Sequence, residues 1–365
     1  MDPRIREHAN IISMHSTSMK KGDNVVIDAD PIADDLVTSL CEICAEIGAN
    51  PLVTRGRTGG RFLRSYLNNS NGEFQIASHE LALFEQMDVY IVIRGGGNDS
   101  EMADVDQNKI NEYGLVRKPI RDIRLSKRWC LTQFPAPQSA QRANMSTEEY
   151  ENFVWDAIIK DWGVQKNHQQ KLVQLLEGGD RIRLVSGDAT DITMNIGGMV
   201  PINDYGNHNL PGGEVFTAPI IESVEGEVTF DIPLNYKGHT IEQAYLKFEE
   251  GVVTDHNADR NGEILGEILS ADRGAKSVGE LGIGMNRGID RFTNNILFDE
   301  KMGDTIHIAV GMAYGDTVGR GMKKNESSVH VDMITDMSKD SFIELDGELI
   351  QIDGCFVFEE GFKQK

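Results

Sequence analysis

The chain changes character at Gly178-Gly179. Before that pair, short strand-like runs alternate with helix-like ones; beyond it come β-rich runs divided by Gly, Asn and Asp turns, among them RIRLVS, DITMNI, GEVTFDIP, TIEQAYLKF, DTIHIAV and SSVHVDMI. The pattern predicts an α/β protein of two domains. Residues 1–178 are expected to form an N-terminal parallel α/β domain with linking helices, and residues 179–365 a C-terminal mixed α/β, β-rich domain. At 365 residues, each half is long enough to bury a core of its own.

The N-terminal half carries its own punctuation. The run NVVID from Asn24 reads as a strand. Asp30 then suits a helix N-cap, Pro31 the first helical position and Gly48 the C-terminal stop, and Leu52-Val53-Thr54 begins another strand. DVYIVI, Asp88 to Ile93, is apolar enough to be buried on both faces. The Gly95-Gly96-Gly97 that follows lacks the spacing of a dinucleotide loop and reads as a tight turn. Cys41 and Cys44 fall on one amphipathic helix with no second pair to complete a zinc site, so they read as core residues. After Phe134-Pro135-Ala136-Pro137, a capping box at Ser146-Thr147-Glu148-Glu149 opens one helix, and a second covers about Val164 to Leu176.

Charge narrows the partners. With 58 acidic against 36 basic residues the net charge is −22, which repels phosphate backbones and anionic membranes, so neither nucleic acid nor membrane is expected. Four cysteines are too few for a disulfide framework and suit a reducing cytosol. The charged start MDPRIREHANIISMHS does not read as a signal peptide, and no run approaches a membrane span, so a cytoplasmic location is expected.

Candidate chemistry lies in the C-terminal half. In SSVHVDMI, residues two apart share a strand face, so His330 and Asp332 point one way while Val329, Val331 and Met333 point the other. In DTIHIAVG, His307 likewise stands opposite Ile306, Ile308 and Val310, flanked on its own face by the small Thr305 and Ala309, and Tyr314 follows just beyond the strand. Glu214 in PGGEVFTAP and Glu280 in VGELGIG sit among glycines and apolar residues, where a carboxylate is costly to bury unless a cation or donor satisfies it. Taken alone, His330 with Asp332 reads better as a solvated strand face and each glutamate better as a turn glutamate, while His307 reads as well as a core-edge histidine. Together, three carboxylates and two imidazoles are a set that can hold two divalent cations, one carboxylate bridging.

The segments NLPGGEVFTAP (209–219), VGELGIG (278–284), NILFDEKMGDTIHIAVGMAY (295–314) and NESSVHVDMI (325–334), in that order, resemble the M29 family of metal-dependent aminopeptidases. The resemblance implies a metallopeptidase whose metal ligands fall on Glu214, Glu280, His307, His330 and Asp332, with Tyr314 matching the family's active-site tyrosine. It further implies two divalent metal ions per chain, zinc first with cobalt or manganese as alternatives, and short peptides as substrates. A homodimer around an internal cavity is the implied assembly. A competing reading on the same scaffold is a mononuclear non-haem iron dioxygenase that opens a dihydroxypyridine ring, with His307, His330 and Asp332 as its facial triad. A third is a non-catalytic binding protein. Whether Glu214 and Glu280 join the other three distinguishes the first two.

Overall fold

The computed structural model describes residues 2–55, 60–98 and 100–363. The chain divides into two compact units, Met1–Lys160 with Gly206–Pro211, and Asp161–Tyr205 with Gly212–Lys365.

The first unit is built on a wholly parallel sheet in the order Asn50–Thr54, Asn24–Ala29, Val89–Arg94, Arg128–Gln133 and Asn209–Leu210. Its central strands are buried on both faces, as their unbroken apolar runs require, and Val26, Tyr90 and Val92 pack with Phe84, Met87 and Ile120. The helix Asp34–Ile47 ends at Gly48, whose φ of 84° closes the last turn. Its start differs from expectation. Residues Pro31–Ala33 form a 3₁₀ turn first, and the Asp30 side chain caps nothing there. It accepts instead from the N–H groups of Gly95, at 3.2 Å, and Gly96, at 3.4 Å. The glycine turn therefore has its donors filled by a carboxylate of the protein itself. Ser146 does cap its helix, accepting from Glu149 N at 3.2 Å, and Cys41 and Cys44 are free thiols on the Asp34–Ile47 helix.

In the second unit an eight-stranded and a five-stranded sheet share one core. Leu184, Ile192, Val228 and Leu246 from the larger sheet meet Val215, Leu281, Ile283, Ile306, Ile308, Val310 and Met333 from the smaller. The smaller sheet is antiparallel throughout, in the order His330–Asp336, Thr305–Gly311, Val278–Gly284, Glu214–Thr217 and Ile202–Asp204. The helix Trp162–Glu177 buries Leu172, Val173 and Leu176 in this same core. That packing moves the division of the chain from Gly178-Gly179 back to Lys160: the helix belongs with the β-rich unit. Among the described residues no helix is long and apolar enough to cross a membrane.

Candidate metal centre

Four neighbouring strands of the five-stranded sheet supply the site, and alternation decides which side chains face it. On the Thr305–Gly311 strand, Ile306, Ile308 and Val310 enter the core while His307 and Ala309 take the other face. Register then lines up the neighbours. Ala309 lies opposite both Glu280 and Asp332, Gly311 opposite His330, and His307 opposite Gly282. Glu214, at the start of the next strand, lies opposite Gly284. Small residues thus separate the five polar ones and leave space above the sheet.

The ligand atoms converge in two groups. Glu214, Glu280 and His307 form one, Glu280, His330 and Asp332 the other, and within each the candidate donor atoms lie within 4.8 Å of one another. Glu280 is common to both. His307 Nε2 stands 3.3 Å from Glu280 Oε1 and 3.4 Å from Glu214 Oε2, and His330 Nε2 stands 3.3 Å from Asp332 Oδ1. All five sequence candidates are therefore in one place. Tyr314 also arrives there: its ring centroid is 5.0 Å from that of His330, and its backbone oxygen accepts from Thr317 Oγ1 at 2.8 Å.

Several polar atoms in this cluster are buried without a hydrogen-bond partner: Glu214 Oε2, Glu280 Oε2, His307 Nδ1 and Asp332 Oδ1. Unsatisfied buried atoms of this kind cost free energy unless something positive binds them. Burial pushes the carboxyls of Glu214 and Glu280 above their ordinary values. Burial opposes charge on the two imidazoles, yet neighbouring carboxylates raise them, His307 to about 9 through its hydrogen bond to Glu280 and His330 to about 10 through Asp332. Asp332, disfavoured as an anion by burial, is nonetheless brought down to about 2, chiefly by the charge of His330. Imidazole and carboxylate here offset one another's charge, while the four atoms named above stay without a hydrogen bond.

Three supporting features were not legible beforehand. Lys301 is fully buried, its Nζ 3.2 Å from Glu214 Oε1 and hydrogen-bonded to Glu300 Oε1. Burial alone would lower its pKa, but the charges of Glu214 and Glu300 hold it well above the usual lysine value. It occupies one Glu214 oxygen and leaves Oε2 directed at His307. Met312 O accepts from His330 Nδ1 at 2.8 Å, which leaves Nε2 as the ring nitrogen with a free lone pair once the ring is neutral. Gly282 is obligatory for a steric reason: a Cβ there would lie 2.0 Å from His307 Cε1 and Nε2. The His307 ring lies across the backbone of the neighbouring strand, and only glycine lets it.

The Peptidase_M29 family model, described as thermophilic metalloprotease, matches residues 1–361. Aminopeptidase AmpS of Bacillus subtilis is 24% identical, covering 93% of this chain and 94% of that protein. Aminopeptidase T of Thermus aquaticus is 32% identical, covering 60% of this chain and 62% of that protein. Among solved structures, wild-type AmpT from Thermus thermophilus superposes with a TM-score of 0.83 at 22% identity, over 97% of this chain and 99% of that one. A 2,5-dihydroxypyridine dioxygenase from Pseudomonas putida superposes less well, with a TM-score of 0.60 at 14% identity over 98% and 97% of the two chains. Both superpositions speak to the fold. The match along nearly the whole length, joined to a cluster of buried carboxylates and imidazoles, shows that the chain belongs to the M29 family of metalloproteases and is a metallo-aminopeptidase, a hydrolase acting on peptide bonds.

Proposed function

We propose that the five clustered side chains hold two divalent ions, with Glu280 as the shared ligand, and that the enzyme removes N-terminal residues from short unblocked peptides. The observation that carries this reading is the membership of Glu280 in both three-residue groups. Two imidazoles and three carboxylates fit borderline ions such as zinc, cobalt or manganese, and zinc is our first choice. The orphaned oxygens of Glu214, Glu280 and Asp332 are what such ions would satisfy. Divalent ions held there would polarise the scissile carbonyl and make water nucleophilic at neutral pH.

The protein's own groups do the rest. His307 and His330 would hold an ion as neutral imidazoles, and Met312 O, accepting from His330 Nδ1, keeps that ring in the tautomer that leaves Nε2 open. Tyr314 is 44% exposed, and its partial burial together with the charges of Glu280 and Asp332 pushes its phenol above the usual value. It stays protonated at neutral pH and can donate to the oxygen that gains negative charge. Lys301 holds Glu214 by its other oxygen, so that carboxylate does not swing.

A mononuclear iron site built on His307, His330 and Asp332 would leave Glu214 and Glu280 buried in the same cluster with no task. The reading extends to a cytoplasmic homodimer, for which the four free cysteines suit a reducing compartment. The test is Glu280→Ala, scored by bound metal and by cleavage of Leu-Ala and its N-acetylated form. Loss of ions and of turnover is expected, with the acetylated peptide inert in the parent. A folded variant that keeps two ions and near-normal turnover refutes the shared-ligand assignment.

A further inference from the structure

The helix Trp162–Glu177 buries Trp162, Gln169, Leu172, Val173 and Leu176 along one face. Gln169 stands in that row with none of its surface exposed, and an amide in such a place is costly unless it has partners. Its Nε2 donates to Glu214 O at 2.8 Å, to Asn203 Oδ1 at 2.8 Å and to Asp204 O at 2.9 Å. All three partners are oxygens, so the amide can face only one way. Its Oε1, meanwhile, is buried without a hydrogen-bond partner. An apolar side chain of the same length would fill the row without that orphan, so packing alone does not account for a glutamine here.

The acceptors lie where the sheet has least hold on a candidate ligand. Glu214 is the first residue of the Glu214–Thr217 strand and follows Gly212-Gly213, a pair that leaves the chain ahead of it free to shift. Its neighbour on one side, the strand Ile202–Asp204, is three residues long and forms the edge of the sheet. His307, by contrast, lies inside a seven-residue strand that is paired on both sides. Asp204 is the register partner of Glu214, and Gln169 bonds to the main-chain oxygens of both. Asn203 closes the arrangement, because its Nδ2 donates back to the helix at Lys166 O, 3.1 Å away.

Lys301 thus holds the carboxylate of Glu214, and Gln169 holds its backbone. Resting on the function proposed above, we infer that Gln169 is a positioning residue for the metal centre, pinning the start of the Glu214 strand so that this carboxylate stays with Glu280 and His307. The other group, Glu280 with His330 and Asp332, contains no residue that Gln169 bonds. Loss of the amide should therefore weaken one ion and spare the other.

The experiment compares the parent with Gln169→Met, which keeps the length and removes the donor, and with Asn203→Ala, a milder change at a half-buried position that tests the same network should the first variant not fold. Gln174→Met, exposed on the same helix, is the control. Zinc affinities are read by calorimetry on metal-free protein, stability by urea unfolding, and kcat and KM for Leu-Ala from stoichiometric to excess zinc. In Gln169→Met one ion should bind roughly tenfold to a hundredfold more weakly and the other within about twofold of the parent. Asn203→Ala should weaken the same ion by less. Turnover in Gln169→Met should be low at stoichiometric zinc and return with excess zinc, KM unchanged, which a packing role would not produce. A folded Gln169→Met protein with both affinities as in the parent overturns the role of Gln169 and leaves the aminopeptidase standing, whatever its urea midpoint. Equal weakening of both ions also overturns it. Selective weakening of one ion, in a protein whose parent cleaves no dipeptide, supports Gln169 and sinks the peptidase reading.

Discussion

Replacing Gly282 by alanine adds a single methyl group at the point where the His307 ring crosses the neighbouring strand. That methyl would start 2.0 Å from His307 Nε2, whereas an ordinary contact begins near 3.4 Å, so the ring must retreat by about 1.4 Å. Gly282 does not have a positive φ, so alanine meets no backbone obstacle and the effect is confined to the ring. Ligand distances at a metal tolerate only about 0.2 Å. His307 therefore drops out of its group with Glu214 and Glu280, while Glu280, His330 and Asp332 remain together. Disturbing outer partners alone costs roughly tenfold to a hundredfold in metal affinity, so losing the ligand should cost at least that at one position. Overpacking should lower stability by about 1–3 kcal/mol. Calorimetric titration with zinc, checked by elemental analysis, should show two ions per chain falling to one. Gly114→Ala, where a Cβ meets nothing within 4 Å, is the control. A folded Gly282→Ala protein that binds two ions with parental affinity would show the reasoning to be wrong.

Other consequences follow from the same contacts. Lys301→Met strands Glu214 and Glu300, and breaking a buried pair should cost the metal-free protein about 3–5 kcal/mol in urea unfolding, with a smaller loss once zinc is bound; an unchanged midpoint would argue against the pairing. His307 and His330, raised to about 9 and about 10, are protonated in the free protein at neutral pH, so metal binding must release protons and strengthen as pH rises from 6 to 9. Titrations in buffers of different ionisation enthalpy measure that release, and a pH-independent affinity would contradict it. Asp272 accepts from Ser328 N and Ser328 Oγ, each at 2.7 Å, and from Ser327 Oγ at 2.8 Å, which holds its carboxyl well below the usual range. A depressed carboxyl stabilises the fold above its unfolded value of 3.8 and loses that contribution as pH falls below it. The melting difference between parent and Asp272→Asn should shrink between pH 6 and pH 3, and a constant difference would refute the linkage.

Strand alternation made the facing of His307, His330 and Asp332 legible in the sequence, because a period of two separates core from site without tertiary knowledge. Small neighbours such as Ala309 were a correct signal of space, and the register that sets Ala309 between Glu280 and Asp332 is the physical reason. Lys301 carried no such signal. A lysine beside Glu300 reads as solvated surface, and only the three-dimensional approach of Glu214 makes its burial affordable. Gly282 was visible as a glycine, but its necessity depends on a ring reaching across from the next strand. The helix Trp162–Glu177 showed an amphipathic pattern, which says that one face is buried and not which core receives it. Asp30 next to Pro31 had the look of an N-cap, yet nearby N–H groups at the end of a neighbouring strand, those of Gly95 and Gly96, took its carboxylate.

The central claim is a shared glutamate holding two ions at a peptide-cleaving site, and metal stoichiometry measured with activity on one sample tests it most directly. Elemental analysis of protein purified without chelator, alongside release of N-terminal residues from unblocked peptides, should give two divalent ions per chain and turnover that disappears with their removal. One iron per chain with no peptide cleavage would contradict the account and move the site to ring-opening oxygen chemistry.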